Sequence, residues 1–221
     1  MKFRQGLLVL FCLGTGSLQA QKVADIDGNI YPTVTIGSQT WTARNLEVTK
    51  FRNGETIPEA KSLKKWENAG NEEKPAWCYY NYNSANGTKY GKLYNWYAVN
   101  DSRGISPEGL HIPSDAEWKI LTDTLGGAIA AGEIMKSKIG WDNTADKTPF
   151  IPEFNGFSGL PGGICNHSGA FYGIGDVGAW WSITWSRADI AWSRNLFYNS
   201  KGVSRDGTYK RVGLSVRLIK D

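Results

Sequence analysis

Glycine interrupts this 221-residue chain so often that most of it cannot hold a long regular element. There are 26 glycines, and each costs about 0.5–1 kcal/mol relative to alanine inside a helix or strand. They stand beside ten Trp, ten Tyr and eight Phe, while charged residues make up only 21% of the chain. Rings on that scale need burial, and a chain cut by turns buries them best on short strands. The expectation is a β-rich body with little regular helix.

One segment departs from that pattern. Ser114-Asp-Ala-Glu117 has the form of a capping box, in which the serine hydroxyl and the glutamate carboxylate each satisfy a free backbone amide. Trp118, Leu121 and Leu125 follow at helical spacing, and Gly126-Gly127 ends the run. Weaker helices are expected over Ile129 to Lys136 and around Ser62 to Ala69. Elsewhere the pattern alternates. Tyr31 to Ile36 and Thr40 to Leu46 read as a hairpin about Gly37-Ser-Gln, Trp77 to Tyr82 as a strand, and Gly213 to Ile219 as the last strand. With no repeat, linker or low-complexity block, residues 21–221 read as one α+β domain.

The first twenty residues read differently. Lys2 and Arg4 precede an apolar run, Gly6 to Leu13, and small and polar residues lead to Ala20. That is the layout of a secretory signal peptide cut after Ala20. The run is shorter than the roughly 20 apolar residues of a membrane span. Cys12 follows Phe11, where a lipidated cysteine follows a small residue, so it belongs to the apolar signal core. The mature protein is therefore expected outside the cytoplasm: extracellular, on the cell surface or periplasmic. Its net charge of +4 is spread along the chain, which gives no concentrated basic face for nucleic acid.

Five segments then occur in a fixed order: Leu93-Tyr-Asn-Trp-Tyr-Ala-Val99, Gly109-Leu-His-Ile-Pro-Ser-Asp-Ala-Glu-Trp118, Gly156-Phe-Ser-Gly-Leu-Pro-Gly-Gly163, Trp180-Trp-Ser-Ile-Thr184 and Ser215-Val-Arg217. Together they resemble the Fibrobacter succinogenes major paralogous domain, a family common in exported proteins of the Bacteroidota. The Ile-Pro-Ser-Asp-Ala-Glu-Trp segment also resembles the formylglycine-generating-enzyme branch of C-type-lectin-like folds. The resemblance implies a C-type-lectin-like α+β domain with small twisted antiparallel sheets, one or two helices and long irregular loops. Trp96, Trp118, Trp180 and Trp181 are then scaffold. Family members often carry a cysteine just after Ser-Val-Arg, where this chain has Leu218.

Catalytic and metal chemistry find little support in the residues. Formylglycine-generating enzymes use a reactive cysteine pair late in the chain, and no cysteine follows Cys165 here. His111 and His167 stand without a nucleophile motif and read as structural or surface groups. No zinc-type cluster of Cys and His is present. Glu153-Phe-Asn155 and Trp141-Asp-Asn143 lack the order of calcium-lectin motifs, and Asp25-Ile-Asp27-Gly28-Asn29 lacks the later Glu of a calcium loop, so it reads as an Asx turn. No cofactor is expected. Cys78 and Cys165 leave two readings: a disulfide closing a long loop, worth about 4 kcal/mol in the chain-entropy model, or two separate buried thiols.

Binding is expected between Trp185 and Arg211, a stretch dominated by Tyr, Trp, Ser, Asn, Arg and Gly, as in antibody paratopes. Trp192, Leu196 and Phe197 are assigned to the core. Trp185, Arg187, Asp189, Arg205, Asp206 and Tyr209 are assigned to loops and to one exposed patch. The resulting reading is a non-catalytic exported recognition or adhesion module that binds a glycan or a protein. A structural subunit of a cell-surface or extracellular assembly is the alternative, and an enzyme of unknown chemistry comes third.

Overall fold

The computed structural model describes residues 22–142 and 156–221. Residues 1–21, which hold the expected signal segment and Cys12, and Asn143 and Glu153 to Asn155 lie outside the described residues. The chain opens with β1 (Lys22–Ala24), β2 (Ile30–Ile36) and β3 (Gln39–Thr42). Between β1 and β2, Asp25 Oδ1 accepts from the amides of Asp27 at 3.0 Å and Asn29 at 2.9 Å, which is the Asx turn. β3 stops short of Leu46 because the amides of Thr42 and Leu46 bond the C-terminal tail instead, at Leu218 and Val216.

The middle of the chain holds α1 (Leu63–Asn71), capped by Ser62, then β4 (Trp77–Cys78), α2 (Gly87–Tyr90), β5 (Leu93–Tyr94), α3 (Trp96–Val99) and β6 (Leu110–His111). The strand expected to reach Tyr82 ends at Cys78, since Asn81 and Tyr82 take left-handed backbone at φ 55° and 54°. Helix α4 (Asp115–Thr124) starts as the sequence demands. Its Ser114 Oγ accepts from the Glu117 amide at 3.3 Å, and Glu117 Oε2 accepts from the Ser114 amide at 2.8 Å. Then come α5 (Ala131–Met135), β7 (Gly162–Cys165), β8 (Phe171–Ile174), β9 (Val177–Arg187), β10 (Ile190–Phe197), β11 (Ser204–Tyr209) and β12 (Ile219–Lys220).

These strands form small antiparallel sheets: five strands in the order β1-β2-β3-β12-β6, three in the order β11-β10-β9, and the pairs β4-β5 and β7-β8. The architecture is mixed α and β, with few and short helices. The last strand is the main departure from expectation. Only Ile219 and Lys220 join a ladder, while Gly213 bridges Cys165, Leu214 bridges Tyr94 and Ser215 bridges Trp180. The tail thus spends its backbone bonds on several sheets in turn. Gly213 permits this close passage, because a Cβ there would stand 2.8 Å from the Trp66 ring.

The core is built from rings. Trp118, Trp180 and Trp181 are fully buried and Trp96 nearly so. Trp41, Trp118, Phe157 and Trp180 form one stack, with centroids 4.8 Å apart for Trp41–Trp118 and 5.4 Å for Phe157–Trp180. Each such ring gains roughly 4–6 kcal/mol of gross transfer free energy on burial. Through this stack runs Arg217, whose guanidinium is wholly buried. Its Nε donates to Asn45 Oδ1 at 2.7 Å, its Nη1 to the carbonyls of Thr42 and Phe157 at 2.7 Å each, and its Nη2 to that of Ser158 at 3.1 Å. Asn45 Oδ1 also accepts from Trp180 Nε1 at 2.8 Å. One polar knot therefore ties β3 and the segment beside it, the Gly156–Gly163 stretch, β9 and the tail.

Candidate functional site

The C-terminal three-stranded sheet is held from one side by a break in its own pairing. Trp181 pairs with Ser193 and Trp185 with Ala191, so β9 spends four residue steps where β10 spends two. The extra residues serve helix α4. Ile183 donates its amide to the Pro113 carbonyl, and Thr184 Oγ1 accepts from the Asp115 amide, both at 3.0 Å. Asp115 also takes Arg194 Nη1 at 2.8 Å and Arg205 Nε at 2.9 Å. Burial acts to raise its carboxyl pKa, and the two arginine hydrogen bonds outweigh that and hold it below the usual value. Trp180-Trp-Ser-Ile-Thr184 and Ile112-Pro-Ser-Asp115 are thus two halves of one joint.

This joint re-sorts the residues expected to bind. Only Asp189 lies in a turn; Trp185 and Arg187 end β9, while Arg205, Asp206 and Tyr209 belong to β11. Arg187 and Tyr209 both pair with Ile190, so they flank it in neighbouring strands at one end of the sheet. Trp185, 59% exposed, and the exposed Asp189 stand at the same end. Lys210 bridges Trp185 to the scaffold, its Nζ 5.4 Å from that ring and 4.3 Å from the Trp96 ring.

The other two residues do not join that group. Arg205 lies four residues back along β11, about 13 Å at strand rise, and is held by Asp115 while its guanidinium lies 3.3 Å from the centre of the Trp192 ring. Asp206 points to the other face, where its Oδ2 accepts from Asn195 Nδ2 at 2.6 Å. The single patch of six is therefore a tip of four, one clamp residue and one residue on the reverse face. Strand alternation is the reason: loops can gather neighbours on one side, whereas a strand separates them.

On the reverse face lies a cleft that the sequence reading did not find. It measures about 380 Å³ and opens between the β7–β8 hairpin and the outer sheet, within the size range of small-ligand sites. Its walls include His167, Tyr172, Asn195, Phe197, Thr208 and Tyr209, with no Lys, Arg, Asp or Glu among the described residues lining it. Phe197, expected in the core, is only partly buried and forms part of this wall. Asn195 is held by Asp206 and by Ser193 Oγ at 3.4 Å, and Ser193 Oγ also meets Thr208 Oγ1 at 2.9 Å. Asn166 shapes the rim, its Oδ1 accepting from the amides of Ser168 and Ala170. Tyr209 stands at the tip and also borders the cleft from the end of β11, although strand alternation puts its side chain on the Arg205 face. No spacing rule brings Tyr172 of β8 opposite Asn195 of β10, so this site had no signal in the sequence.

The remaining candidates resolve as follows. Cys78 and Cys165 are free thiols, both fully buried. Burial pushes the Cys78 thiol well up, and its hydrogen bond with Cys165 adds to that shift. His111 sits between two carboxylates, Nδ1 at 2.6 Å from Asp221 Oδ1 and Nε2 at 2.8 Å from Glu117 Oε1. Burial works to lower its pKa, but the two hydrogen bonds prevail and raise it. Among the described residues no group of three or more His, Cys, Asp or Glu is placed to hold a metal ion, and no helix is long and apolar enough to cross a membrane.

Set against known proteins, the chain matches no curated protein and no solved structure. A family model does match: the Fibrobacter succinogenes major domain, over residues 34–220. That span takes in all five ordered segments, the joint at Asp115 and the Arg217 knot, and on that basis the chain belongs to the Fibrobacter succinogenes major domain family.

Proposed function

We propose that this protein is a non-catalytic, exported recognition module with a C-type-lectin-like scaffold, and that it binds its ligand, a glycan or a protein, through the C-terminal three-stranded sheet. The observation that carries the reading is a contrast within one sheet. Trp180, Trp181 and Arg194 are locked into the core, while Trp185 and Arg187 on β9, Asp189 in the turn after it and Tyr209 on the neighbouring β11 stand exposed at one end of the same sheet. Rigid rings on a fixed base give contact area at small entropic cost, and short polar neighbours supply adaptable hydrogen bonds.

Other features support the same reading. Small antiparallel sheets, few short helices and long connections suit a lectin-like scaffold. The thiols are buried and Cys78 is held protonated, which is the setting of an inert cysteine rather than a nucleophile. His111 is engaged by Glu117 and Asp221 and reads as a surface clasp. The charged start and apolar run of residues 1–20 support export.

The test is a glycan and protein array probed with the mature chain, with its size in solution measured in parallel. A monomer that captures a ligand, and loses it on Trp185→Ala or Arg187→Ala, is the expected result. Self-association with no capture would replace this reading with that of a structural subunit of a surface assembly.

A further inference from the structure

We propose that the cleft between the β7–β8 hairpin and the outer sheet is a binding site for a neutral saccharide. The inference rests on the reading of the protein as a recognition module and names the ligand class of one of its faces. Two rings border the cleft from two different strands, Tyr172 from β8 and Phe197 from β10, and Tyr209 of β11 adds to its lining from the edge of the sheet. Tyr172 and Tyr209 are each about half exposed, at 51% and 48%. The Tyr172 hydroxyl makes no hydrogen bond with any described residue, so it is free to donate outward. The C–H faces of a sugar ring are apolar, and aromatic faces are the natural surface against them.

The polar groups of the wall select further. Asn195 is more than nine-tenths buried, and its Nδ2 is taken by Asp206 and Ser193. That engagement fixes the amide; Asn195 lines the cleft, and no described residue donates to its Oδ1. A held carbonyl oxygen of this kind is an acceptor waiting for a donor, and a hydroxyl supplies one. Among the described residues lining it, the wall carries no Lys, Arg, Asp or Glu. A carboxylated, sulfated or phosphorylated ligand would therefore lose its hydration shell without gaining an ion-pair partner. Rings, one fixed acceptor, hydroxyl donors and no formal charge together match a neutral, hydroxyl-rich ligand.

Affinity electrophoresis in gels containing a neutral polysaccharide tests this directly, using a β-glucan, a mannan, a xylan and a galactan in turn, with a polyuronate as the acidic counterpart. The expected result is retardation by at least one neutral polymer, weakened about tenfold or more by Tyr172→Ala. Because half of that ring is already in solvent, the variant keeps the wild-type fold, which its melting curve checks. His167→Ala, on the exposed rim, serves as a second variant and is expected to weaken retardation to a smaller degree. Retardation by none of the neutral polymers, by the polyuronate alone, or equally for the wild type and Tyr172→Ala, would overturn the proposal. Trp185→Ala separates this failure from that of the broader reading. If it abolishes capture of a glycan or protein while Tyr172→Ala does not, recognition stands at the tip and the cleft proposal falls.

Discussion

Replacing Arg217 with methionine tests how the scaffold beneath the binding sheet is held. The guanidinium has no solvent exposure and, among the described residues, no carboxylate partner, and it is satisfied by Asn45 Oδ1 and the carbonyls of Thr42, Phe157 and Ser158. Burial pushes its pKa down to about 9, with the charge of Arg44 adding to the effect. Methionine fills most of the volume and removes all four bonds. Three carbonyls then lose a charged donor, at about 1–3 kcal/mol each. Sparing the cost of burying a charge returns part of this, which leaves a net loss of about 3–5 kcal/mol. That is a large fraction of the roughly 5–15 kcal/mol that holds a domain together. At about 2–4 °C per kcal/mol for a domain of this size, the melting temperature falls by about 10 °C. Differential scanning calorimetry of the two proteins at neutral pH measures it. A variant melting with the wild type, or above it, would show that the desolvation cost of Arg217 equals its bonds and that the knot is not what holds the tail.

Further expectations follow from the helix cap, the thiols and the buried phenols. Ser114→Ala removes half of the capping box and lowers stability by about 1 kcal/mol in urea titration, with ligand binding unchanged. Cys78 and Cys165 resist alkylation in the native protein and react fully once it is unfolded; mass spectrometry after a short iodoacetamide pulse reads this, and rapid native labelling would contradict their burial. Burial raises the Tyr31 and Tyr94 phenols, and the bond from Tyr31 to Asp25 at 2.5 Å adds to its shift. Their folded-state pKa values exceed the unfolded value of about 10, so the stability they contribute is complete below that pH and is lost as pH rises above it. Urea midpoints taken across that range fall for the wild type and fall less for Tyr31→Phe.

The parts of this molecule that were legible in the sequence are those set by near neighbours. Ser114 and Glu117 are three residues apart and cap each other wherever the helix sits. Asp25 closes its own turn, and Gly37-Ser38 turns β2 into β3. The large rings were legible as core because nothing else buries so much apolar area. What was not legible depends on which strands lie side by side. Gly213 to Ile219 has the pattern of one strand, but its backbone partners, Cys165, Tyr94, Trp180 and Trp41, come from four separate parts of the chain. Arg205 and Asp206 read as loop residues in a polar, glycine-containing run. Pairing with β10 made them strand residues and turned them to opposite faces. The cleft depends on the β7–β8 hairpin folding over β10, and residues as far apart as Tyr172 and Asn195 give no local sign of that.

Comparing Tyr209→Ala with Arg205→Ala separates binding from support in the C-terminal sheet, because both residues lie on the same face of β11 and differ in what they touch. Tyr209 is exposed at the tip, whereas Arg205 is committed to Asp115 and Trp192. Isothermal titration with a ligand identified on the array, alongside a melting curve for each variant, gives affinity and stability separately. Tyr209→Ala is expected to weaken binding about tenfold or more at unchanged stability, and Arg205→Ala to cost about 1–2 kcal/mol of stability at unchanged affinity. The reverse pattern, with affinity lost at Arg205 and unaffected at Tyr209, would contradict this account.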